Sequence, residues 1–221
     1  MKKIIKEKGC CISKTLLMIL VIIFLINDVS YSDSIINEWD KVKAPKIPEL
    51  KNVSLNPKNT ALLLLDFNKQ TCNAERRPRC IASIPAVKKF YTNARSGGMY
   101  IVYSLSPGAA VSDIAPELAP KDTDPVVTSG PDKFLGTELE KILKDKNIET
   151  VIIAGTAAHG AVLHTASSAA LRGFNVILPV EGLSAEDTYP EQYTVWHLLN
   201  APRISAKVTV TSFSKILIEN K

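Results

Sequence analysis

Five apolar runs, separated by helical segments, constrain this chain more than any other feature. They cover residues 60–66, 100–104, 150–154, 174–179 and 206–211. The first, Thr-Ala-Leu-Leu-Leu-Leu-Asp, has no polar alternation until its closing acid. A strand wetted on one face alternates, whereas a continuous run marks a strand covered on both faces, as in parallel sheets. Helical patterns fill the gaps at 84–96, 136–146, 161–171 and 190–199. The first stops at Gly97-Gly98 and the third at Gly173, both helix C-cap signals. In the second, Leu139, Ile142 and Leu143 share one face. Strand–helix alternation at this spacing implies right-handed βαβ units. The expected fold is an α/β three-layer sandwich with a mainly parallel, doubly wound sheet. Such sheets bind ligands beyond the carboxyl ends of their strands. Asp66, the loop after Ser104 and the turn 155–161 all lie at such ends.

The N-terminus reads as a targeting segment. Lys2, Lys3, Lys6, Lys8 and Lys14 accompany an apolar stretch, 15–26, that is short for a bilayer span and ordinary for a signal peptide. Ser30-Tyr31-Ser32 supplies small residues for cleavage before Asp33; an uncleaved membrane anchor is the competing reading. The expected division is a signal peptide at 1–32, an extended lead-in at 33–58 bearing Pro45, Pro48 and Pro57, and one domain at 59–221. The chain has 27 basic and 22 acidic residues; residues 1–32 take away five lysines and two acids, leaving 22 and 20, a net of +2. No basic stripe remains for nucleic acid. A periplasmic or secreted location follows from the signal segment. In an oxidising compartment Cys72 and Cys80 form a local disulfide, the alternative being one reactive thiol.

After the third apolar run comes Gly155-Thr-Ala-Ala-His-Gly-Ala161-Val-Leu-His-Thr165-Ala166. A strand, a tight turn and a helix N-terminus are a standard place for a nucleophile and an oxyanion site. This stretch resembles the nucleophile turn of the isochorismatase-like cysteine hydrolases, roughly Gly-x-x-Thr-x-x-Cys-Val-x-x-Thr-Ala. Leu-Leu-Asp66-Phe-Asn resembles that superfamily's opening strand, Phe134-Leu-Gly-Thr137-Glu-Leu its Phe-x-Gly-Thr-x-Leu helix start, and 173–182 its following strand. The resemblance covers about residues 59–214 and implies the sandwich fold. It also implies a triad in which an aspartate takes a thiol proton, a lysine holds charge and a thiolate attacks a carbon. Aligned so, Asp66 is the aspartate and the cysteine falls on Ala161. The lysine falls on Thr128, six positions before Phe134. Lys133 is the nearest lysine, and its spacing argues against that role.

The expected site gathers Asp66, His159 and Lys133 as catalytic candidates. Thr128, Phe134, Ala158 and Gly160 are expected to touch substrate. Asp66 could equally cap its loop or pair with Arg76 or Lys133, and Asp132 with Lys133 could form a surface bridge. His159 could act as a base or merely cap the helix. His164 reads as packing and His197 as a surface or interface residue. No metal or cofactor is expected. Partners are a small-molecule ligand, a second copy of the chain in a homo-oligomer, and a membrane only through an uncleaved signal segment. Two functions stand open. One is hydrolysis of a small amide, ester or vinyl ether by a water held on Asp66 and His159. The other is a catalytically silent binding or scaffold protein. On this reading Ala161→Cys needs Thr128→Lys beside it to restore activity.

Overall fold

Residues 60–65 can be apolar throughout because both faces of this strand are covered. The computed structural model describes residues 34–219, and in it every residue of β2 (Thr60–Leu65) is buried. Ala61, Leu63 and Leu65 enter one core cluster, while Leu62 and Leu64 enter the other. The remaining runs form β3 (Tyr100–Leu105), β5 (Thr150–Thr156), β6 (Asn175–Pro179) and β8 (Val208–Thr211). With the short edge strand β4 (Val126–Thr128) they build a parallel sheet in the order β4-β3-β2-β5-β6-β8. A two-residue strand, β7 (Leu183–Ser184), pairs with β5 at Gly155 and Thr156. From β2 the chain winds outward through β3 and β4, then returns to lay β5 on β2's other side. That reversal is the topological switch point of a doubly wound sheet.

Helices cover both faces. α1 (Pro78–Ser96) packs Cys80, Ile84, Val87, Phe90 and Ala94 into one cluster. α2 (Leu139–Asp145), α3 (Leu163–Leu171) and α4 (Thr188–Asn200) contribute to the other. α1 begins six residues before the apolar pattern, with Pro78 in its first turn, where a missing N–H costs nothing. A π-helical turn, Ala158–Val162, precedes α3.

The chain divides into two compact units at Pro45. The described part of the first, residues 34–45, holds one 3-10 turn, Trp39–Lys41. The second starts at Lys46, so the latter half of the expected lead-in belongs to the body. There β1 (Val53–Leu55) pairs in parallel with β9 (Ile216–Ile218), and the Lys51 amide donates to the Val210 carbonyl at 3.1 Å. The expected signal segment, 1–32, lies outside the described residues.

β2 and β5 meet most closely at Leu65 and Gly155. A Cβ on Gly155 would stand 2.5 Å from both the Leu65 Cβ and its carbonyl oxygen. Backbone cannot yield there as a flexible side-chain tip could. Gly155→Ala is therefore expected to lower stability by about 1–3 kcal/mol or more, read by urea denaturation, with β2 and β5 losing amide protection first.

Candidate functional site

Asp66 stands where β2 ends at the switch point. Its backbone turns sharply, with φ at 55°, and its N–H donates to the Ser104 carbonyl at 3.2 Å. This aims the carboxylate inward, and only 5% of the residue is exposed. One oxygen, Oδ1, accepts from Ser104 Oγ at 2.8 Å, and the other, Oδ2, pairs with Lys133 Nζ at 2.8 Å. Lys133 has no exposed surface. Its ammonium also donates to the carbonyls of Ser129 at 2.9 Å and Leu105 at 3.4 Å. All three ammonium protons are thus engaged inside the protein. Burial pushes the Asp66 carboxyl above its ordinary 3.8, against the opposing pull of Lys133 and Ser104.

Spacing along the chain argues against this lysine in the triad; the fold nevertheless sets it against Asp66. Thr128 ends the edge strand β4 with its side chain exposed. Residues 129–133 turn back toward the end of β2 and bring Lys133 to Asp66. α3 fixes that loop: Lys133 N–H donates to Thr165 Oγ1 at 3.2 Å, and the same hydroxyl donates to the Pro131 carbonyl at 3.3 Å. Asp132 does not bridge to Lys133. It accepts from Phe134 N–H at 2.9 Å and from Ser168 Oγ at 2.8 Å.

Beside this pair runs the turn from β5 into α3. Ala161 is buried, Ala158 fully so, Gly160 is half-buried and His159 is exposed. Ala157 precedes the helical turn and no side chain caps it. Ala158 offers backbone only. Phe134, expected against substrate, sits in the core 6.1 Å from the Phe174 ring, with the Arg172 guanidinium over it at 4.8 Å.

Two further charged residues border the site and were not singled out from the sequence. Cys72 and Cys80 form a disulfide with a Cα–Cα distance of 5.4 Å, and the loop it closes carries Arg77. The Arg77 side chain is buried. It donates from Nη1 to the Thr71 carbonyl at 3.1 Å and pairs with Glu186, in the loop between β7 and α4. Thr71 Oγ1 in turn donates to the Asp66 carbonyl. At Glu186 burial pushes the carboxyl up, but its own backbone amide, Arg77 and His159 outweigh this and hold it low. A loop arginine next to a proline carries no pattern in a single sequence, and β7 is too short to announce Glu186.

A family model, the isochorismatase domain, matches residues 60–211. Among curated proteins, a secreted isochorismatase effector, Isc1, of Verticillium dahliae is 28% identical over 113 residues, 48% of this chain and 60% of that protein. N-carbamoylsarcosine amidase of an Arthrobacter species is 37% identical over 71 residues, 32% of this chain and 27% of the amidase. The chain therefore spans less than two thirds of either relative. A cysteine hydrolase structure from Pseudomonas syringae pv. phaseolicola superposes with a TM-score of 0.65 at 16% identity, covering 76% of this chain and 95% of that one. At that identity the likeness speaks for the fold.

Breaking one side of the buried ion pair leaves an uncompensated charge. Lys133→Met and Asp66→Asn are each expected to lose about 3–5 kcal/mol, and the double variant to recover most of it, read by denaturant melts. In Lys133→Met the Asp66 carboxyl also loses its chief opposing charge and rises further. The folded variant then holds that proton more tightly than the unfolded chain. Its stability should be greatest below the ordinary value of 3.8 and fall as pH rises through the raised native one.

Proposed function

The chain belongs to the isochorismatase family, and from that membership we propose that it is an exported protein that binds a small polar molecule in the Asp66–Lys133 crevice without forming a covalent intermediate. The observation that carries this is the buried Asp66–Lys133 ion pair; the family resemblance sets Ala161 at the nucleophile position beside it. A desolvated Asp–Lys pair contributes little net stability and perturbs its own titration, which is the habit of sites more than of scaffolds. A methyl group has no lone pair, so the thiolate step has no agent. What remains is a carboxylate held in place and an uncapped helix N-terminus, whose amides attract carbonyl or carboxylate oxygens. The amidase relative supports an amide-bearing ligand. The secreted relative, the disulfide and the N-terminal apolar segment support export.

A second reading is hydrolysis of a small amide, ester or vinyl ether by water. The raised Asp66 carboxyl favours it, because a base titrating nearer neutrality accepts a proton more effectively. His159, exposed at the turn, is the group that would assist.

We also propose that the chain self-associates through α4. Its outer face carries Tyr189, Gln192, Tyr193, Trp196 and Asn200, an exposed stripe at helical spacing with no charge. Such a stripe is self-complementary across a two-fold axis. Paired substitution Tyr193→Asp and Trp196→Asp is expected to convert dimers to monomers in light scattering at micromolar concentration.

The decisive variant for the site is Ala161→Cys alone. With Lys133 already on Asp66, no second lysine is required. Incubation with an activated ester should leave the natural protein unmodified and give the variant a covalent adduct within 155–166 by mass spectrometry. A folded Ala161→Cys protein with an inert thiol would show that the pair does not serve position 161. Release of product by the natural protein, lost in Asp66→Asn, would favour the water reading instead.

A further inference from the structure

We propose that Arg77 recognises a ligand carboxylate, and that Glu186 occupies its guanidinium as an internal stand-in which the ligand displaces. The inference rests on the crevice being a small-molecule site and adds the chemical class of its occupant, a small carboxylate.

The cations near Asp66 differ in what they can offer. Lys133 has no proton left to donate, so it holds Asp66 and nothing more. Arg77 is preorganised. Its loop is closed by the disulfide, its Nη1 is spent on the Thr71 carbonyl, and only 6% of the residue is exposed. The Nε and Nη2 edge is left for recognition. That edge suits a carboxylate, which it can grip through two parallel hydrogen bonds.

Two other arginine–carboxylate pairs use that grip in full, while the more exposed Arg172 meets Glu140 through Nε alone at 3.0 Å. Arg79 reaches both oxygens of Glu191, Nε to Oε1 at 2.7 Å and Nη2 to Oε2 at 2.6 Å. Arg95 reaches both oxygens of Asp124, at 3.1 and 2.6 Å. Arg77 does not. Its Nε at 2.9 Å and its Nη2 at 2.8 Å converge on the same oxygen, Glu186 Oε1. The most buried of these guanidiniums therefore reaches only one oxygen of its partner. That partner's side chain is 41% exposed and sits on the loop 185–187, free to swing outward. A ligand carboxylate entering beside the 155–161 turn can supply both oxygens. The exchange replaces one carboxylate by another on the guanidinium, so the buried positive charge is never left bare. His159, which stands near enough to help hold the Glu186 carboxyl low, is the neighbour toward which the released side chain can swing.

The test uses the full chain with its disulfide intact and matched probes: acetate against acetamide, and benzoate against benzamide, titrated by calorimetry and by amide shifts in NMR. Glu186→Gln removes the competitor and should tighten carboxylate binding by about tenfold while leaving the amides unchanged. Arg77→Gln should weaken carboxylates by about tenfold or more with the amides again unchanged. A purely structural bridge predicts the opposite for Glu186→Gln, a lower melting temperature and no gain in affinity. Amides that bind, with carboxylates no tighter and indifferent to Glu186→Gln, overturn the role of Arg77 and leave the crevice as a site. Failure of both probe classes overturns both. Should Arg77→Gln not fold, Glu186→Gln decides alone.

Discussion

The ion pair between Asp66 and Lys133 is the contact around which the carboxyl end of the sheet is arranged. Two charges out of water cost several kcal/mol each before their attraction repays it, so every remaining hydrogen-bonding position around them has to be filled. Ser104 fills one on the carboxylate, and the carbonyls of Ser129 and Leu105 fill two on the ammonium. Those partners come from β3 and from the segment that follows β4. The pair thus pins the exits of three neighbouring strands to one point.

The pair also explains features that look unrelated along the chain. Thr165 lies in the part of the turn motif that carries no chemistry of its own. Its hydroxyl bridges the Lys133 amide and the Pro131 carbonyl, so the helix that presents position 161 also holds the lysine loop. Gly155 is required by distance: β2 and β5 approach until a Cβ has no room. That approach sets position 161 at the same strand ends as Asp66. None of these contacts involves the side chain at 161, so the arrangement does not depend on which residue stands there.

On the other side of Asp66, the disulfide loop does through covalent closure what the sheet does through packing. Residues 66–77 contain no helix or strand among them, and Arg77 depends on the Cys72–Cys80 bridge and the Thr71 carbonyl for its position. The loop binds back to the site through Thr71 and across to α4's lead-in through Glu186. The Asp66–Lys133 and Arg77–Glu186 charges are paired across elements far apart in sequence, and neither pair runs along a single helix.

Continuous apolar runs determined the parallel sheet, because short runs of this kind, bounded by turn signals and alternating with helices, mark strands covered on both faces. Their order, with helices between, determined the switch point and so the location of the site. Asp66 and the turn 155–161 were legible for the same reason: each is the end of such a run. The short strands β1, β4, β7 and β9 left no periodicity to read, and they pair only because longer strands offer them an edge. Spacing led to Thr128 for the lysine, since counting along a chain assumes the loop takes the usual path. The tertiary structure alone decided that Lys133 reaches Asp66, because α3 holds its loop through Thr165. It alone brought Arg77 to Glu186, 109 residues apart, since a long-range ion pair exists only once two loops have been carried to the same end of the sheet.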